Sequence, residues 1–202
     1  MEKGQKKLYR WELALLLGVA TAILAGAWLS GQQRALAGEL VRLHVIGASD
    51  SEEDQAIKLR VRDAVLAEAG PLLEGATTRE EAEQILGTHL EELARAGAEA
   101  SQGAEVTAQI AADVWFPTKE YTDFSLPAGR YTALKIIIGE GEGRNWWCVV
   151  FPPLCMGSVS EVTREAGSFT PGQVSLITGE SEGYVVKFRA LELWNRLAEF
   201  FR

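Results

Sequence analysis

The sequence predicts a small α+β sandwich of about four strands, with helices packed on one face of the sheet, in the order β-α-α-β-β-β-α. Three observations carry this. Residues 40–46, 105–116, 131–138 and 146–151 alternate or run apolar at the period of a strand, whereas two stretches between them repeat at the period of a helix. Both helical stretches open on serine or threonine caps, and the strands and helices are segregated along the chain rather than alternating regularly.

Residues 1–37 stand apart from this domain. Lys3, Lys6, Lys7 and Arg10 are followed by an uncharged run from Leu13 to Leu29 and then by Ala35-Leu36-Ala37. A basic start, an apolar middle and a small-x-small ending are the parts of a secretory signal peptide. The apolar run is about 25 Å long as a helix, at the lower edge of a membrane span, so both a signal cleaved after Ala37 and an uncleaved anchor are open readings. In either case the basic flank stays cytoplasmic and residues 38–202 are exported as one domain. The leader carries five basic and two acidic residues, so the chain's net charge of −8 becomes −11 for residues 38–202. An acidic domain is repelled by nucleic acid and by anionic membrane surfaces, which makes nucleic acid an unexpected partner.

Within the domain, Leu40–Ile46 alternates, with Val41, Leu43 and Val45 on one face and Arg42, His44 and Ile46 on the other. Ser51-Glu52-Glu53-Asp54 is a variant capping box, and its acids suit the start of a helix expected to run to Ala69, before Gly70-Pro71. Thr78-Arg79-Glu80-Glu81 is a second capping box, opening one helix to about Ala100 with Ile85, Leu86, Leu90 and Leu93 as its apolar stripe. Val106, Ala108, Ile110, Ala112 and Val114 share one face of the next strand. Tyr131–Ile138 and Trp146–Phe151 flank a glycine-rich GEGEGRN turn and predict a hairpin. Residues 156–181 read as a loop region. Residues 182–201 read as an amphipathic helix on Tyr184, Val185, Phe188, Leu191, Trp194 and Leu197.

The densest chemistry lies in residues 40–66. Gly47-Ala48-Ser49-Asp50-Ser51, between strand and helix, is similar to the elbow that presents a nucleophilic serine, without its last glycine. An exported serine-type hydrolase or cell-wall-acting enzyme using Ser49 or Ser51 with His44 is therefore one candidate function. Capping accounts for the same serines and acids without catalysis. On the helix, Gln55, Lys58 and Arg62 share a polar face edged by Leu59 and Leu66, and Asp54 and Lys58 stand in the favourable i,i+4 order. That face is solvated, or Lys58 and Arg62 contact a partner or lock Asp50 or Asp63 in place. Trp146 and Trp147 must point to opposite sides of a strand, one into the core and the other available as an interface anchor, unless a helix covers both. Cys148 and Cys155 are a disulfide candidate in an exported chain, with two buried thiols as the alternative. Two cysteines and two histidines, without CxxC or HxxxH spacing, imply neither a metal nor another cofactor.

The run HVIGASDSEEDQAIKLRVRD, followed by NWWCVVFPPLC, resembles the stage II sporulation protein R family of endospore-forming bacteria, over roughly residues 38–202. Gly47-Ala48 departs from the Ala-Asn usual in that family. The resemblance implies a signalling protein, not an enzyme, exported from the forespore into the space between the septal membranes. There it activates a membrane-embedded protease, which processes a sigma-factor precursor. The family brings no catalytic residue with it. The candidate contacts with such a partner are His44, Asp50, Gln55, Lys58, Arg62 and one of Trp146 or Trp147. An anchored structural protein of the septum is a further class.

Overall fold

In a computed structural model, which describes residues 2–120 and 125–153, a long helix α1 (Glu2–Ala37) leads into strand β1 (Val41–Ile46). Three helices follow: α2 (Glu52–Leu72), α3 (Arg79–Thr88) and α4 (Leu90–Ser101). Then come β2 (Val106–Phe116), the short pair β3 (Lys119–Glu120) and β4 (Ser125–Leu126), β5 (Gly129–Ile138) and β6 (Asn145–Phe151). The α+β class read from the sequence is the observed one. The expected loop at 156–181 and helix at 182–201 lie outside the described residues.

The sheet order is β2-β5-β1-β6, with β1 parallel to β5 and antiparallel to β6. This corrects the hairpin expected from GEGEGRN, because β5 and β6 do not pair with each other. β1 lies between them, Val45 opposite Ile136 on one side and Trp146 on the other. A central strand must be apolar or satisfied on both faces, and all six residues of β1 are buried.

One face of the sheet carries the helices. Val41, Leu43 and Val45 meet Val61 and Val65 of α2, Leu86 of α3 and Leu93 of α4 in the main core. Ser51 caps α2, its hydroxyl accepting from the Asp54 N–H. The helix continues past the predicted stop to Leu72. Pro71 stands in its last turn, where a missing N–H removes one backbone bond, and the Leu73 N–H closes the end on the Ala69 and Gly70 carbonyls. Leu72 and Leu73 pack onto the core and hold this extra turn. Thr78 and Glu81 form the predicted capping box, but the helix they open is broken at His89. The Thr88 hydroxyl (2.8 Å) and His89 Nδ1 (2.7 Å) both bond the Ile85 carbonyl, drawing it out of the α-helical ladder.

The opposite face is also a core, built from Leu36, Leu40, Phe116, Leu126, Tyr131, Ala133 and Val149. A bulge makes it possible. Between Ala111 and Val114 the β2–β5 register shifts, with Asp113 at φ 60°. Val106, Ala108 and Ile110 face the helices as the alternation predicts, but Val114 and Phe116 are turned to the second core. Asp113 is held in this left-handed conformation by Arg130, whose Nη1 donates to its carbonyl at 3.0 Å and pairs with its carboxylate at 3.2 Å.

Candidate functional site

The loop that leaves β1 and the connection that leaves β5 meet at one end of the sheet. Because β1 lies between β5 and β6, the chain from Gly139 to Arg144 must cross the end of β1, directly over residues 47–50. The contact is made mostly of backbone. Gly143 N donates to Gly47 O (2.8 Å), Glu142 N to Ala48 O (3.3 Å), and Arg144 N to the Asp50 carboxylate (2.7 Å).

The polar side chains of the signature complete this lock. Gln55 Nε2 donates to the Ser49 carbonyl (2.8 Å), and its Oε1 accepts from Lys58 Nζ (2.5 Å). Lys58 also donates to the Arg144 carbonyl at 2.9 Å. Ser49 Oγ donates to the Asp54 carboxylate and accepts from Ser51 N. The capping box at Ser51 is thus shared: Ser51 caps Asp54 N, while Ser49 takes the reciprocal bond to Ser51 N.

These positions alter several sequence expectations. Lys58 is 4% exposed, its ammonium taken up by Gln55 and Arg144, so it does not pair with Asp54 or lie on an open basic face. Its pKa is lowered by burial and by the neighbouring Arg144 and Arg62, against the pull of Asp50. Arg62 lies over the Trp146 ring (4.4 Å) and pairs with Asp63 (2.7 Å). Asp50 keeps an exposed carboxylate at the apex, 3.5 Å from Arg144 Nε.

His44 and Trp147 belong to the second core. The His44 ring stacks on Trp147 at 3.9 Å, and Phe116 meets both rings edge-on. The two tryptophans do take opposite faces, but each is half-buried, Trp146 beneath Arg62 and Trp147 beneath His44, so neither projects as an open anchor. Cys148, on β6, is disulfide-bonded; Cys155, the other cysteine of the chain, lies outside the described residues.

His44 Nε2 donates to Asn145 Oδ1 at 2.8 Å, and its Nδ1 is buried without a hydrogen-bond partner among the described residues. A serine nucleophile needs a base within hydrogen-bond reach, and among the described residues no bond joins His44 to Ser49 or Ser51. Burial lowers the His44 pKa, and Lys135 adds to this, while the Asn145 bond opposes it. The unfolded chain takes up this proton near its ordinary value of about 6.5, the folded chain only at lower pH. As pH falls through that value the unfolded state binds more protons, so stability falls; above it the effect is absent. Urea unfolding between about pH 7 and 5 is expected to show a steeper loss for the native chain than for His44→Gln. Equal slopes would reject the buried neutral imidazole.

Sequence reasoning missed Arg42, Gly143 and Arg144. Arg42 is fully buried, Nε donating to the Cys148 carbonyl at 2.8 Å and the guanidinium 4.3 Å from the Phe116 centroid and 4.9 Å from that of Tyr131. An arginine in a strand buried on both faces was the available signal.

A family model described as stage II sporulation protein R (spore_II_R) matches residues 37–161. The stage II sporulation protein R of Bacillus subtilis (strain 168) is 38% identical over 120 residues, covering 58% of this chain and 54% of that protein. The chain thus spans about half the length of this curated relative. No solved structure matches it. The matched segment contains the whole lock and all six described strands, and the chain belongs to the stage II sporulation protein R family.

Proposed function

We propose that the protein is an exported sporulation signal, active in the space between the two septal membranes. Its domain docks on the extracytoplasmic part of a membrane-embedded protease and switches on cleavage of a sigma-factor precursor. It acts as a ligand, with no catalytic step of its own. The family supports a role in sporulation, and the apolar α1 is compatible with a signal peptide or an anchor.

The observation that carries the reading is the lock itself. Ser49, Asp54 and Gln55, among the side chains best suited to chemistry, are committed to holding residues 49–51 on the start of α2, and Lys58 ties Gln55 to the Arg144 carbonyl of the crossing. What they present outward is a preorganised surface, and rigid surfaces bind at lower entropic cost. That surface includes Asp50, Arg144 and, along α2, Leu59 at 37% exposed beside Arg62.

Reconstituted precursor cleavage, with protease, precursor and the full chain, tests this. Leu59→Glu changes an exposed position and is expected to leave stability within about 0.5 kcal/mol while lowering activation about tenfold or more. Full activation by a folded Leu59→Glu chain would remove this face as the contact. Absence of activation by the unaltered chain would overturn the protease reading.

A further inference from the structure

We propose that α1 is retained in the mature protein, because its last turn is part of the folded domain: Ala35 and Gly38 are exposed, but the bond after Ala37 is held in a hydrogen-bonded turn anchored by the buried Leu36. α1 stays helical through Ala37, where the Gly38 N–H bonds the carbonyls of Arg34 (3.0 Å) and Ala35 (3.1 Å) and the Glu39 N–H bonds that of Leu36 (3.1 Å). Leu36 is fully buried in the second core among Phe116, Leu126 and Tyr131. Gln33 Nε2 donates to the Ala128 carbonyl, and this approach requires Gly129, where a Cβ would come within 2.7 Å of the same Nε2.

Peptidases act where the chain is exposed and free to open, and a signal is cut after a small-x-small site. Here the x of Ala35-Leu36-Ala37 is a core residue and both alanines are in a hydrogen-bonded turn. The domain therefore contains its own leader's cleavage site. The remainder of the helix, Trp11 to Trp28, lies open along its length; Leu15, Leu16, Leu24 and Trp28 are all more than 60% exposed among the described residues. A lipid bilayer is the occupant that such a surface fits.

Retention also fixes the direction in which the domain is presented. α1 joins the sheet at the start of β1 and beside the start of β5, whereas the lock lies at the opposite end of both strands. That far end is acidic, with exposed Glu52, Glu53, Glu140 and Glu142, and an anionic membrane repels it. The signature is held away from the membrane that anchors the chain. The bearing of this on activation rests on the proposed function; the retention does not.

The test uses the full chain, expressed in a host with an active signal peptidase and recovered from the extracytoplasmic side. Trypsin cuts after Arg34 and Arg42, so the peptide Ala35–Arg42 spans the bond in question. The expected result is that peptide intact, from protein that stays in carbonate-washed membranes. Recovery of Gly38–Arg42 instead, on soluble or membrane protein, would overturn the proposal. Leu36→Ser, which unseats the turn, is expected to cause loss of the intact peptide, whereas Leu36→Met retains it. If the serine variant fails to fold, the native chain and Leu36→Met still decide between the two peptides. A retained helix without activation in the reconstituted assay would count against the protease and leave the anchor standing.

Discussion

Gly143→Ala is expected to cost about 3 kcal/mol or more and to lower the melting temperature by roughly 6–12 °C for a chain of this size. A methyl group at this position would fall on the Ser49 carbonyl, 2.7 Å from its carbon and 2.8 Å from the Gly47 oxygen. Those neighbours are backbone and cannot rotate away. The Gly143 N–H is also the 2.8 Å donor to Gly47, so relieving the clash breaks the bond that holds the two loops together. With Gly143 displaced, Lys58 loses the ordered Arg144 carbonyl, and a buried ammonium with fewer acceptors is costly. Gly87→Ala is the control: nothing described lies within 4 Å of the place its methyl would take, and a helical glycine replaced by alanine is expected to be neutral or to gain up to about 1 kcal/mol. Thermal and urea unfolding of both variants checks this. A Gly143→Ala chain within about 0.5 kcal/mol of the native one would show that the crossing is loosely packed.

The lock explains which parts of the site were legible in the sequence. The caps at Ser51 and Thr78 could be read because a cap depends on three or four consecutive residues. The destination of Lys58 could not, since its acceptor at Arg144 is 86 residues away and is a backbone carbonyl that any residue would supply. The same limit misplaced the hairpin. Strand–Gly-rich turn–strand is the local pattern of adjacent strands, and only the long-range insertion of β1 shows that the turn is a crossing. β2 shows a third kind of limit. Its alternation holds to Ile110 and then fails, because one extra residue at the bulge exchanges the faces of everything after it. The helix break at His89 has a local cause in Thr88 and His89, but their side chains compete for a carbonyl that an unbroken helix would also offer.

Reading the strand face by periodicity also concealed Arg42, whose removal is the second large effect expected. Arg42→Ala should cost about 3–5 kcal/mol, within a total that for a domain of this kind is about 5–15 kcal/mol. Three losses combine. The Cys148 carbonyl, in the middle of β6, loses a 2.8 Å charge-assisted donor. Phe116 and Tyr131 lose the planar group that lies against both rings, leaving a void between them that a methyl group does not fill. The void opens in the core that seats Leu36, so the last turn of α1 loosens with it. Arg42→Lys is expected to recover less than half of the loss, because an ammonium has neither the flat face that stacks on the two rings nor the forked donors. Denaturant titration of the three chains measures this, and limited proteolysis near Arg34 reports the α1 junction separately. An alanine variant within about 1 kcal/mol of the native chain, or a lysine variant equal to it, would mean that the guanidinium does not organise the second core.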